Sequence, residues 1–216
     1  MPAYRLAIFD FDGTLADSAE WGFGVMNDMA RRHGYRVIDD AEREHLRGRP
    51  NHEIIQALGV PLWKLPFIVA DFRRLAAENA AKIPLFPFAA AHLDRLRGAG
   101  VIVAIASSNS RSTIERILGP AAELVVDFAC GASLFGKAPK FHGLMRRHRV
   151  APEQTVAIGD EERDVTAARE AGIASIAVSW GLSRREALEA AHPTAIVDAP
   201  AELERLILDG PAAATP

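Results

Sequence analysis

The chain has 216 residues, enough for a substantial core that also carries a smaller inserted unit. Apolar residues make up 49% and charged residues 25%, and a net charge of -3 gives no support to a nucleic-acid or anionic-membrane binder. One cysteine, Cys130, excludes an intrachain disulfide, and no apolar stretch approaches membrane-spanning length. The start of the chain lacks the basic-then-apolar build of a signal peptide, so the expected location is the cytoplasm.

In chain order, Leu6-Ala7-Ile8-Phe9 is apolar without alternation, which predicts a strand buried on both faces of a parallel sheet. From about Asp17 to Ile83 the spacing turns helical. Met26, Met29 and Ala30 recur on one face, as do Ile54, Ile55 and Leu58, and a longer helix is expected over Leu65 to Lys82, starting near Pro66. Pro84-Leu85-Phe86-Pro87 breaks that pattern. A helix at Ala89 to Arg97 leads to a second buried strand, 101–106, then a helix at Arg111 to Leu118. Leu124-Val125-Val126 is expected as a third strand and 155–158 as a fourth, with a helix from Pro139 to Arg147 between them. A helix from Asp164 to Ala171 and a fifth strand over 173–178 follow. Strands alternating with helices predict an α/β fold, a Rossmann-like parallel sheet with helices on both faces, plus an all-helical insertion after the first strand. The expected division is a core of 1–15 and 85–209, a helical unit of 16–84, and a disordered tail of 210–216.

Polar groups follow these strands at their carboxyl ends, where open α/β sheets place ligands. Asp10 and Asp12 close the first strand, ahead of Gly13 and Thr14. Asp-Gly alone is an ordinary turn dipeptide. Two aspartates at one strand end, however, repel unless a cation or a proton offsets them, and they suit a carboxylate nucleophile beside a proton-shuttling carboxylate. Ser107-Ser108-Asn109 ends the second strand before a helix, where hydroxyls, an amide and free N–H groups would make an anion site, although Ser-Ser-Asn alone reads more readily as a helix N-cap without a ligand. Lys137 follows near the third strand as a point cation, with Lys140 a competitor that spacing does not separate from it. Asp160 and Asp164, four residues apart at the fourth strand's end, fall on one face of a helical turn and add to Asp10 an oxygen-rich set that suits Mg2+.

Asp-Phe-Asp-Gly-Thr, then Ser107, Lys137 and Gly-Asp-x-x-x-Asp, in this order after successive strands, resembles the haloacid dehalogenase-like hydrolase superfamily over most of residues 1–209. The helical section stands where that family carries an α-helical cap. The resemblance implies that Asp10 attacks phosphorus and forms an aspartyl-phosphate, and that Asp12 protonates the leaving oxygen and then activates water. Ser107, with N–H groups of Ser108 and Asn109, would hold the phosphoryl oxygens, and Lys137 would bridge nucleophile and phosphoryl group. Mg2+ would be bound by Asp10, the Asp12 carbonyl, Asp160 and Asp164.

Within the family, Asp12 disfavours a dehalogenase, whose members lack this second aspartate. Leu46-Arg47-Gly48-Arg49 and Leu85-Phe86-Pro87 look most like the phosphoglycolate phosphatase-like branch, though Phe88 stands where a glycine is usual there. The expected activity is hydrolysis of a small phosphorylated metabolite, phosphoglycolate-like or a sugar phosphate, by a monomer or homodimer. The alternatives are a β-phosphoglucomutase-like phosphotransferase, weakened because Gly22 stands in place of the mutases' cap histidine, and a non-catalytic metabolite-binding regulator on the same scaffold. Arg47, Arg49, His52 and Lys64 are candidate contacts for the rest of the substrate, arginine suiting a carboxylate.

Overall fold

Leu6–Phe9 form strand β1, and all four residues are buried, as expected of a strand covered on both faces. The computed structural model describes residues 2–46, 49, 51–131 and 136–210, without the side chains of 51 and 52. In chain order come helices α1 (Ala19–His33), α2 (Asp40–Leu46), α3 (Asn51–Ala57), α4 (Leu65–Glu78) and α5 (Ala89–Gly98), then strand β2 (Ile102–Ala106) and helix α6 (Arg111–Leu118). Strand β3 (Asp127–Ala129), helix α7 (Ala138–His148), strand β4 (Thr155–Gly159), helix α8 (Glu162–Glu170) and strand β5 (Ala174–Val178) follow. Helix α9 (Arg185–Ala190), strand β6 (Ala195–Val197) and helix α10 (Pro200–Asp209) complete the order.

The six strands pair in parallel in the order β3-β2-β1-β4-β5-β6. β1 sits between β2 and β4, with Phe9 opposite both Ile105 and Ile158. The strand order reverses beside β1, so the carboxyl ends of β1, β2 and β4 open into the crevice where such sheets bind ligands. Two apolar layers cover the sheet. One joins Phe9, Val103 and Ile158 to Leu93 of α5, Ile114 of α6 and Leu203 of α10, and the other joins Leu6, Ile8 and Ala157 to Leu144 of α7 and Ala168 of α8. Each fully buried Leu, Ile or Phe contributes about 1.5–3 kcal/mol, so the layers hold the strand ends in place.

Between β1 and β2, residues 19–82 hold helices and, among the described residues, no named strand. The two segments that connect this helical section to the sheet run side by side: the Asp17 N–H donates to Pro84 O and the Phe86 N–H to Leu15 O, each at 2.9 Å. The section packs a small core of its own from Ile38, Leu46 and Leu58.

Three expectations change. The third strand lies at Asp127–Ala129, because Leu124 closes a short 3-10 turn and Val125 drops into the core instead of pairing. The long helix expected to Lys82 ends at Glu78, where Asn79 leaves helical geometry and its side-chain amide donates to Leu75 O at 2.9 Å. Helices α9 and α10 and strand β6 had no counterpart in the sequence reading. Of the tail expected over 210–216, only Gly210 is described, buried with its N–H donating to Leu206 O; the rest lies outside the described residues. No helix among the described residues is long and apolar enough to cross a membrane.

Phe88 has a structural role. Its ring stacks on Phe86 (5.7 Å, 10°) and meets Trp180 edge-on (5.2 Å, 77°), and the Trp180 indole donates to Thr14 O at 3.2 Å. An aromatic wedge thereby braces the loop after β1.

Candidate active site

β1, β2 and β4 deliver Asp10, Ser107 and Asp160 to one edge of the sheet, and all three are buried. A chain ending a fully buried strand must satisfy its polar groups locally or with a ligand. Asp10 Oδ1 accepts the Phe11 N–H at 2.7 Å and pairs with Lys137 Nζ at 2.8 Å. Asp160 Oδ1 accepts the Thr14 hydroxyl at 2.7 Å, and its Oδ2 accepts the Leu182 N–H at 2.8 Å. Gly13, at φ +78°, passes so close that a Cβ there would lie 2.2 Å from Asp160 Oδ2. Only glycine combines that backbone with that contact.

Asp164, in the first turn of α8, accepts Lys137 Nζ at 2.5 Å and the Glu161 N–H at 3.2 Å. Carboxylate oxygens of Asp10, Asp160 and Asp164 all lie within 4.8 Å of one another. Burial, then repulsion from its two neighbours, holds the Asp160 carboxyl well above its usual range. Burial also raises Asp164, although Lys137 opposes it. One ammonium touches two of the three carboxyl groups, and the Arg163 guanidinium that also acts on them is paired with Glu161, so the cluster is short of positive charge. Hard oxygen donors converging in a buried, electron-rich pocket fit a divalent cation such as Mg2+. The Asp12 carboxylate stands outside this cluster and accepts the Asn109 amide at 3.1 Å.

Burial would lower the Lys137 ammonium, but Asp10 and then Asp164 outweigh it and raise it above its usual range, so it stays charged. Lys140, its competitor, is engaged elsewhere. Its Nζ donates to Ser107 O and Gly131 O, both at 2.6 Å, and ties the β2 loop to the β3 loop. The geometry separates two lysines that spacing did not. Asp12 is pushed up to about 6, first by burial and next by Asp10, with Ser18 and Asn109 hydrogen bonds working against the rise. A carboxyl group titrating near 6 can give and take a proton close to neutral pH.

In the β2 loop the Asn109 N–H, expected to face a phosphoryl oxygen, instead donates to Ser107 Oγ at 3.0 Å. Ser108 makes no hydrogen bond among the described residues, which leaves its N–H and hydroxyl as free donors. Two of the four substrate-contact candidates, Arg49 and Lys64, have partners within the helical section. Arg49 binds Glu53 and the His45 carbonyl, and Lys64 Nζ donates to the His33 carbonyl at 2.6 Å. Arg47 and the His52 side chain lie outside what is described. A residue the sequence reading missed, Arg73 of α4, lines a cavity together with Asp12, Ser108 and Asn109.

A strand-end carboxylate pair, a lysine bridging to a second acidic group, and a hydroxyl loop thus meet at one edge of a doubly wound sheet. The family model described as "Haloacid dehalogenase-like hydrolase" matches residues 7–178, and the chain belongs to that family. Phosphoglycolate phosphatase of Synechococcus elongatus is 33% identical over 198 residues, 91% of this chain and 93% of that protein. Tyrosine-protein kinase PtkA of Mycobacterium tuberculosis is 32% identical over 200 residues, 90% of this chain and 69% of that one. Among solved structures, CbbY from Rhodobacter sphaeroides in complex with phosphate aligns with a TM-score of 0.71 and 25% identity, over 93% of this chain and 96% of that chain. The chain is an enzyme, a hydrolase of the phosphatase kind within this family.

Proposed function

We propose that the protein is a Mg2+-dependent phosphomonoesterase acting on a small phosphorylated metabolite through an aspartyl-phosphate on Asp10. The observation that carries this is the meeting of Asp10, Asp160, Asp164 and Lys137 at one sheet edge. The reading places the protein in the cytoplasm, with residues 16–84 as a lid over the core.

Asp10 Oδ1 is held by Phe11 and Lys137, which leaves Oδ2 as its oxygen without a hydrogen bond among the described residues. That oxygen attacks phosphorus as the bond to the leaving oxygen breaks, and Asp12 gives its proton to that oxygen. Asp12, now ionised, takes a proton from water. The hydroxyl adds to phosphorus, the bond to Asp10 breaks, and inorganic phosphate leaves with both aspartates restored. Ser107, Ser108 and Lys137 orient and offset the phosphoryl oxygens throughout. Asp10, Asp160 and Asp164, with the Asp12 carbonyl, would hold Mg2+, which when bound masks phosphoryl charge during transfer.

Gly22 lines the cavity beside Asp12 and brings no ionisable side chain there, which favours water over a sugar hydroxyl as acceptor. The likeness to PtkA favours a second reading, transfer of the same phosphoryl group to a protein hydroxyl. Phosphate release from a panel of phosphorylated metabolites, with Mg2+ or chelator and with Asp10→Asn in parallel, tests both. Metal-dependent release lost in Asp10→Asn is the expected result. Equal rates in the variant would refute the nucleophile assignment, and label passing to protein instead of water would select the second reading.

A further inference from the structure

A cavity of about 250 Å3 opens from Asp12, Ser108 and Asn109 toward α1 and α4. Its walls away from the sheet are apolar: Met29, Leu58, Ile68, Val69 and Phe72 line it. The Tyr35 hydroxyl, also in the lining, already donates to Met26 O at 3.3 Å. Arg73 is the one cation there, and its guanidinium makes no ion pair or hydrogen bond among the described residues. Its neighbour Arg74, one step around the same helix, is bound to Asp71 and Glu78 instead. The Arg73 charge acts across the gap, adding after burial and Lys137 to what lowers Lys140 of α7.

The chemistry of this lining fits two substrate classes poorly. A sugar would bring several hydroxyls against walls that offer them almost no partner, and each unmatched hydroxyl weakens binding. A two-carbon acid would reach little of the cavity and leave water against apolar walls. A cavity that is apolar along its length, with one unpaired guanidinium, fits an apolar body bearing one anion.

We propose that the substrate's leaving group is an apolar-bodied alcohol or phenol carrying one anionic group, seated in this cavity with that anion on Arg73. The proposal deepens the phosphatase reading and rests on it. Arg73 determines specificity and the apolar walls set the leaving group's size.

The test uses three non-hydrolysable phosphonates on the Mg2+-loaded full chain, read by calorimetry: 4-(phosphonomethyl)benzoate, benzylphosphonate and 3-phosphonopropionate. The benzoate is expected to bind about tenfold tighter than either of the others, as one desolvated Arg–carboxylate pair or one apolar ring supplies. Its advantage over benzylphosphonate should shrink to about twofold or less in Arg73→Ala and be partly recovered in Arg73→Lys. Tightest binding of 3-phosphonopropionate, an unchanged advantage in Arg73→Ala, or no binding of any of the three overturns the proposal. Turnover of phenyl phosphate is measured separately. The expected affinity ranking with no ester hydrolysed would overturn the phosphatase reading alone, and hydrolysis with the wrong ranking would overturn the leaving-group assignment alone.

Discussion

Lys137 Nζ lies 2.8 Å from Asp10 Oδ1 and so ties the residue that leads into α7 to the end of the central strand. The same ammonium sits 2.5 Å from Asp164 Oδ1, so it is the cation that links carboxylates from two strand ends. Replacing it leaves three buried acids with only the Arg163 guanidinium, itself paired with Glu161, acting on them. In Lys137→Met, phosphate release should fall by about 100- to 1000-fold, the scale of losing one preorganised electrostatic contact. Mg2+ should bind more tightly in the same variant, because the competing cation is gone. Metal titrations followed by thermal unfolding, beside rate measurements, read the two effects in opposite directions.

Lys140 offers the contrast. Lys140→Met keeps the Lys137–Asp10 pair and strips two carbonyls, Ser107 O and Gly131 O, of their donor. Stability should drop by about 1–3 kcal/mol, with a smaller rate loss than in Lys137→Met. Urea unfolding and initial rates on the two variants check the ranking.

Gly13→Ala combines a left-handed backbone with a 2.2 Å approach to Asp160 Oδ2. The strain alone costs on the order of 1–3 kcal/mol, and relieving the overlap displaces Asp160 from Thr14. We expect a lower Tm and at least about a hundredfold loss of activity, since an ångström of misplacement has that scale of effect. A rate near wild type would show that the loop relaxes without moving Asp160.

The metal-free protein should show Asp12 titrating near 6. Removing repulsion in Asp10→Asn should lower that value, and removing the amide donor in Asn109→Ala should raise it. A folded-state value above the usual 3.8 means protonation favours the folded chain. This contribution is full below about 3.8 and lost as pH rises through about 6. Carbon-detected NMR of labelled aspartate resolves the direction in each variant.

His92 works with the opposite sign. It is fully buried between the rings of Phe9 and Phe88, with Glu204 Oε2 3.4 Å from Nδ1 and no hydrogen bond for Nε2 among the described residues. Burial pushes it down from 6.5 to about 4, against a partial pull from Glu204. Its contribution is therefore full above 6.5 and falls as pH drops toward 4. Between pH 7.5 and 4.5 the wild type should lose about 2–3 kcal/mol more than His92→Phe in urea unfolding. Equal losses in the two proteins would refute this account.

Where the sequence succeeded and where it failed divides along physical lines. Largely apolar runs mark β1, β2, β4 and β5, with only small polar residues such as Thr155 and Ser175 among them, because a strand buried on both faces excludes charge. The polar residues at their ends were legible for the same reason, since nothing else in those runs tolerates charge. β3 escaped because Leu124-Val125-Val126 is as apolar as a strand, yet Val126 is exposed and pairing with β2 begins at Asp127. β6 has three residues, too few for a pattern to show.

By itself, then, the sequence determined the α/β class, the helical section after β1 and the order of the acidic, hydroxyl and lysine motifs, all of which are local in the chain. Tertiary structure alone decided that Lys137 meets Asp10 while Lys140 braces a loop, that Lys64 reaches the His33 carbonyl, and that Arg73 faces the cavity beside Asp12. Arg73 and Arg74 are adjacent and chemically identical. Arg74 finds its two carboxylates on its own helix, three and four residues away, whereas only the packing of α4 gives Arg73 a cavity.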